Sequence, residues 1–265
     1  MVTLFGSKDK NWVTNKKPNS FTNPPQFAFS PNLNFPVLPR IAFITGRIAL
    51  IFQKPLFFTT FFRIFALVMK KPAIILPEGL LEIEEGRVLL HACCAPCSSA
   101  IVEWMVQHDL KPTIFYYNPN IFPREEYEIR KQESKRHAES LGLGWIDGDY
   151  DHDGWRQDVC GLEGEPERGR RCELCFTLRL TRTAQKAKEL GIRYFTTTLA
   201  SSRWKSLEQI ERAGRLAEQA VAGTTFWGQN WRKGGLQDRR NQLLKEYEFY
   251  NQQYCGCEFS MRKEP

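Results

Sequence analysis

The first 68 residues contain no glutamate, no cysteine and one acidic residue, Asp9, against eight lysines and arginines. That imbalance equals the +7 net charge of the whole 265-residue chain, which leaves the stretch from Met69 onward formally neutral. The high pI is therefore no argument that the later part binds nucleic acid. The early stretch also lacks a membrane span. Its apolar runs, 41–52 and 55–69, are broken by Arg47, Lys54 and Arg63 before reaching the roughly 18 uncharged residues that a crossing needs. It has neither the basic start nor the apolar core of a secretory signal, and it is rich in Phe, Pro and Asn instead of the Ser and Arg of a transit peptide. We expect residues 1–68 to be an atypical extension, disordered or upstream of a true start at Met69. Residues 69–265 are then a single α/β domain in the reducing cytoplasm.

What the later part does have is cysteine, and all eight lie in four tight places: Cys93, Cys94 and Cys97; Cys160; Cys172 and Cys175; Cys255 and Cys257. None is scattered through apolar periodicities as a packing cysteine would be. Cys93 and Cys94 are poorly placed to bridge each other, since a disulfide wants Cα atoms about 5.5 Å apart and neighbours sit about 3.8 Å apart. In a reducing compartment such a set points to metal binding or catalysis. A pair at Cys94 and Cys97, closed by Cys172 and Cys175 far along the chain, suits zinc or an iron–sulfur cluster, and spacing alone does not choose between them. A structural zinc has no use for the surplus dithiol Cys255-Gly256-Cys257, which favours redox chemistry.

The pattern around these residues alternates strand and helix. Strands are expected over 87–92, 113–117, 145–149 and 193–199. Helices are expected after a Ser98 cap, through a polar stretch ending near Gly142, over 174–190 with Gly191 as the stop, from the capping box at Ser206 to about 222, and over 236–250. This predicts a doubly wound, mainly parallel sheet with helical additions. His91–Cys97 follows the first strand, where sites of such sheets lie.

The motifs His91-x-Cys-Cys-x-Pro-Cys97, Tyr117-Asn-Pro-Asn120 with Glu126, Tyr127 and Arg130, Arg171-Cys-x-x-Cys175, and Tyr254-Cys-Gly-Cys257 together resemble the QueH-type, cobalamin-independent epoxyqueuosine reductases. The likeness runs from about Val88 to Cys257. It implies an α/β sheet of nucleotide-hydrolase type and two-electron reduction of the epoxide of epoxyqueuosine, at the wobble position of the tRNA anticodon, to queuosine. It also implies a [4Fe-4S] cluster held by Cys93, Cys94, Cys172 and Cys175, and a redox-active disulfide from Cys255 and Cys257. A further iron is associated with the family, with Cys97 and Cys160 as candidate ligands. Partners would be tRNA and an unidentified electron donor, with no membrane.

Blander readings stand beside these. His91, ending a buried strand, is more often a satisfied core histidine than a ligand. Arg168, Arg170 and Arg171 suit either anticodon phosphates or a solvated loop. Trp227 and Trp231 with Arg232, Lys233, Arg239 and Arg240 mix aromatics and cations as single-stranded RNA sites do, although core packing explains the tryptophans better. Ser201, Ser202 and Lys205 suit phosphate binding or a helix cap. The competing class is a zinc-stapled α/β tRNA-binding protein without redox activity. A nucleotide-activating sulfur transferase is disfavoured because no Gly-rich phosphate loop follows the first strand.

Overall fold

A computed structural model of the chain describes residues 74–261. The expected extension 1–68 and its junction at Met69 lie outside the described residues. In chain order the elements are β1 (Arg87–His91), α1 (Ala95–Gln107), β2 (Lys111–Tyr116), α2 (Arg124–Ser140), β3 (Trp145–Asp147), α3 (His152–Asp158), α4 (Arg170–Glu189), β4 (Tyr194–Thr197), α5 (Leu207–Ala220), β5 (Thr225–Phe226) and α6 (Leu236–Glu246).

The five strands form one parallel sheet in the order β3-β2-β1-β4-β5. Val88, Leu89 and Leu90 are fully buried between β2 and β4, because an inner parallel strand is covered on both faces and carries no polar side. From β1 the chain winds outward through β2 to β3, then returns to the other side of β1 and winds outward again through β4 to β5. Right-handed crossovers in opposite directions place α1 and α5 on opposite faces. The expected doubly wound sheet is thus present, and winding reverses between β1 and β4. At that reversal the loops leaving the two strands part and leave a crevice.

Two helix starts differ from expectation, and both matter. The helix α1 begins at Ala95, with Pro96 in its first turn where a missing N–H costs nothing. Ser98 is no cap: its hydroxyl lies inside the helix and donates to the carbonyls of Cys94 (3.0 Å) and Ala95 (3.2 Å). Cys97 is therefore on the first turn of a helix pointing away from the crevice. Likewise α4 begins at Arg170, which places Cys172 and Cys175 three residues apart on one helical face. Ser206 does cap α5, accepting from Gln209 N at 3.3 Å.

The tryptophans are core. Trp227 and Trp231 are buried with ring centroids 5.0 Å apart, and Trp104 lies edge-on to Trp231 at 6.0 Å. The neighbouring cations are engaged too: Arg239 is paired with Glu103 and Glu246, and Arg240 donates to Asn241. Their reading as an RNA-stacking cluster is set aside, because no face of either ring reaches solvent.

Candidate metal and active site

Sulfur gathers where the winding reverses between β1 and β4. The Sγ atoms of Cys93, Cys94 and Cys97 all lie within 4.8 Å of one another, and those of Cys93 and Cys94 are 3.8 Å apart. The rigid end of β1 sets the first two, and the first turn of α1 brings the third back toward them. The β4 side contributes Thr198, whose hydroxyl contacts Cys93 twice, accepting from its N–H (3.1 Å) and donating to its sulfur (3.4 Å). From far along the chain Gln252 donates through Nε2 to the sulfurs of Cys94 (3.0 Å) and Cys97 (3.6 Å).

The three thiols behave as one acid. Hydrogen bonds from Cys94 and Cys97 hold Cys93 well below the usual thiol range. Burial and then the neighbouring Cys93 push Cys94 well above it, and its contact with Cys93 raises Cys97 to about 11. Cys93 is thus the most acidic of the three thiols. Although burial opposes the ammonium of Lys205, the thiols of Cys255, Cys93 and Cys97 raise it above its ordinary range.

His91 is a structural residue. Its Nε2 lies 3.0 Å from the carbonyl of Tyr117 and must donate there, so Nδ1 accepts from the Thr197 hydroxyl at 2.8 Å. Burial, reinforced by Arg179, lowers it to about 3, so it stays neutral and fixes the spacing of β1, β2 and β4 at their ends. Asn118 has the same office, donating to Ala92 O at 2.9 Å while its Oδ1 accepts from buried Arg179.

A second thiol group is drawn from α4 and the C-terminal arm. Burial raises Cys172, and the neighbouring Cys255 and Cys257 raise it further. Burial likewise raises Cys175, opposed by the Arg179 guanidinium. Cys257 rises to about 11, by burial and then by Cys255. The backbone N–H of Arg168 donates to Cys172 Sγ at 3.3 Å. Cys175 and Cys257 share an apolar cluster with Trp155 and Val159. All eight cysteines are free thiols. Cys172 and Cys175 stand outside the close trio, in which Cys97 takes the third place, and Cys160 is exposed after α3.

The arm is fastened by polar bonds. Arg130, buried and paired with Glu126 at 2.6 Å, donates to the carbonyls of Tyr254 and Cys255, each at 3.3 Å. Tyr250 donates its hydroxyl to Glu126 (2.8 Å) and its N–H to Glu133 (2.8 Å). Gly256 adopts φ 123°, and a Cβ there would lie 3.0 Å from Ile121 and 3.1 Å from Arg130, so the residue between the two cysteines has to be glycine. Arg171, one of the three arginines weighed above, is buried and holds the carbonyls of Leu162, Glu163 and Glu165.

A thiol-dense donor set suits a soft metal or an iron–sulfur group. Two buried polar atoms near it have no protein partner: Nε of Arg179, whose guanidinium lies against Cys175, and Oε1 of Gln252. An unpaired guanidinium N–H beside thiols fits an anionic sulfur-bound group. Of the residues that build this site, Gln252, Thr198 and Arg179 gave little sequence signal. Arg179 follows Cys175 by four residues, one helical turn, and that spacing alone could have found it.

Fold and site together define a thiol-centred α/β protein of the doubly wound class, built to hold metal or pass electrons at its switch point. The chain belongs to the QueH family, described as "Epoxyqueuosine reductase QueH", whose family profile matches residues 88–263. It is 44% identical over 192 residues to epoxyqueuosine reductase QueH of Histophilus somni, covering 72% of this chain and 77% of that one. It is 44% identical over 194 residues to that of Acinetobacter baylyi, covering 73% and 88%. With that of Thermotoga maritima it shares 37% over 179 residues, covering 66% and 91%. No helix among the described residues is long and apolar enough to cross a membrane.

Proposed function

We propose that this chain reduces the epoxide of epoxyqueuosine to the alkene of queuosine at the wobble position of tRNA, as an oxidoreductase of queuosine biosynthesis. The observation that carries this reading is the Cys93–Cys94–Cys97 trio at the β1/β4 switch point, two of its thiols buried and the third half-buried, in a chain of the QueH family. Cys93, Cys94, Cys172 and Cys175 would hold a [4Fe-4S] cluster, and Cys97 remains as a ligand for the further iron. Bound there, such a group would supply single electrons and a Lewis acid for the epoxide oxygen.

The chain's own residues do the rest. Removing the oxygen takes two electrons and two protons, and the oxygen leaves as water. Oxidation of the Cys255 and Cys257 thiols to a disulfide supplies both pairs, so the balance is epoxide plus dithiol to alkene, water and disulfide. An external donor then restores the dithiol. Lys205, cationic beside the trio, opposes the negative charge that develops on oxygen as the C–O bonds break. The apolar walls from Trp155 and Val159 keep bulk water from the dithiol side.

Anaerobic purification followed by iron, sulfide and zinc determination tests the reading. About four irons and four sulfides per chain, with a visible band bleached by dithionite, support it. Conversion of epoxyqueuosine-containing tRNA by the protein, lost in Cys255→Ser and Cys257→Ser with iron retained, completes it. Stoichiometric zinc without sulfide would favour the zinc-stapled tRNA-binding protein instead.

A further inference from the structure

Of the six tryptophans among the described residues, five are buried or half-buried and one, Trp204, is 62% exposed. Exposure in a loop ordinarily means slack, yet the backbone of this loop is tied down by side chains. Every carbonyl from Ser201 to Lys205 accepts a hydrogen bond from a side chain outside the turn. Gln237 takes Ser201 O (3.1 Å). Arg232 takes Ser202 O and, at 2.6 Å, Lys205 O. Arg168 takes Arg203 O (3.1 Å) and Trp204 O (2.9 Å). Two guanidinium groups thus lie beneath a single turn, an arrangement that spends four charge-assisted bonds on fixing backbone.

The turn leads directly into the site. Arg168, which clamps Trp204, donates its own N–H to Cys172 Sγ at 3.3 Å, and its carbonyl is held by Gln209 at 2.7 Å. On the outer side the Arg203 guanidinium lies 4.9 Å from the centre of the Trp204 ring. The result is a rigid, outward-facing indole with a cation on it, at the rim of the thiol crevice, in a turn with no acidic residue.

We propose that Trp204, with Arg203, is a stacking platform for an unstacked base of the single-stranded RNA segment that carries the substrate nucleoside. An indole face takes any base, and an arginine beside it serves either the base or the adjoining phosphate. The clamps give the platform its purpose: a base stacked on a fixed ring fixes the distance from its neighbour to the thiols, which a mobile ring would not. The inference rests on the tRNA reading above and adds the residues that hold the RNA.

The test uses anaerobically purified full-length protein, wild type, Trp204→Ala and Trp204→Phe. The probes are an anticodon stem–loop RNA bearing epoxyqueuosine and the same strand annealed into a duplex. Trp204→Ala is expected to weaken stem–loop binding roughly tenfold, and Trp204→Phe by no more than about threefold. Iron content, duplex binding and the salt dependence of log Kd should stay as in wild type, since stacking is not ionic. Arg203→Ala should reduce that salt dependence. Stem–loop binding by Trp204→Ala equal to wild type, an equal loss on duplex, or no stem–loop binding by wild type would each overturn the platform. Trp204-dependent binding with no epoxide reduction by wild type would leave the platform standing and remove the reductase reading instead.

Discussion

The two thiol groups are held in different ways. Cys93, Cys94 and Cys97 sit at the end of a strand buried on both faces and on the first turn of a helix packed in the main core, so their positions follow from apolar burial. Cys255 and Cys257 ride on an arm fastened to α2 mostly by polar groups, with His137 packed edge-on to Tyr247 and Phe249: Glu126, Arg130, Glu133 and Arg136 each hold a group of residues 247–255. This explains why α2 carries so little apolar surface for a helix of 17 residues. Its inward side receives backbone carbonyls and hydroxyls. An apolar anchor cannot be loosened without unfolding, whereas a polar strap exchanges its bonds for water at small net cost. A ligand site needs the first property. A dithiol that alternates between substrate and an external reductant is served by the second.

The comparison is broken most severely at the sulfur atoms. Cys94→Ala should abolish turnover together with most of the bound iron, while Cys257→Ser should abolish turnover and keep the iron, with metal analysis separating the two. Gln252 joins the groups, since it sits on the arm and donates to the trio. Gln252→Ala should lower activity by about 10- to 100-fold, the range found when an outer partner of metal ligands is lost. A shift in midpoint potential should accompany it, and Gln252→Asn should not restore either.

At the strap, Arg130→Met leaves Glu126 charged and buried without its partner and should cost about 3–5 kcal/mol, read by denaturant unfolding. The double variant with Glu126→Gln should recover much of that. A smaller effect tests the docking of the arm by pH. His137 packs edge-on to Tyr247 and Phe249, each at 5.1 Å. Burial, then the charge of Arg136, lowers it from 6.5 to about 4. The unfolded chain binds a proton there before the folded one does, so stability is complete above about pH 6.5 and falls as pH drops toward 4. At 1.4 kcal/mol per unit the loss between pH 6.5 and 5 is about 2 kcal/mol, and His137→Phe should flatten that part of the profile. The least effect belongs to the core side of the molecule, where Ser206→Ala removes the α5 cap at a cost of about 1 kcal/mol.

The strand and helix alternation was legible because buried parallel strands read as unbroken apolar runs, as at Val88–Leu90, and because the Ser206 cap and the Gly191 stop are local signals. Less legible were the helix starts at Ala95 and Arg170. Cys94 caps α1 with no side-chain bond, and Gly169 does the same for α4, so neither start carries a capping residue to read. The short β5 was missed because two residues have no periodicity; only pairing with Tyr194 and Phe195 makes them a strand. Trp227 and Trp231 gave a mixed aromatic and basic pattern that burial resolved. Trp204 gave no pattern, and its exposure emerged from the turn that carries it.

Sequence alone determined the chemistry: eight cysteines in four places, the alternation of strand and helix, and the family, since each depends on residue identity and spacing along the chain. Tertiary structure decided which sulfurs meet. The family resemblance groups Cys93 and Cys94 with Cys172 and Cys175, whereas the sheet end and the first turn of α1 bring Cys97 against the first two. The same folding carried Gln252, more than 150 residues away, onto two of those thiols, and set Lys205 against them. Distances of that kind depend on where the winding reverses and on how an arm is strapped, which are properties of packed elements and leave no local trace in the order of residues.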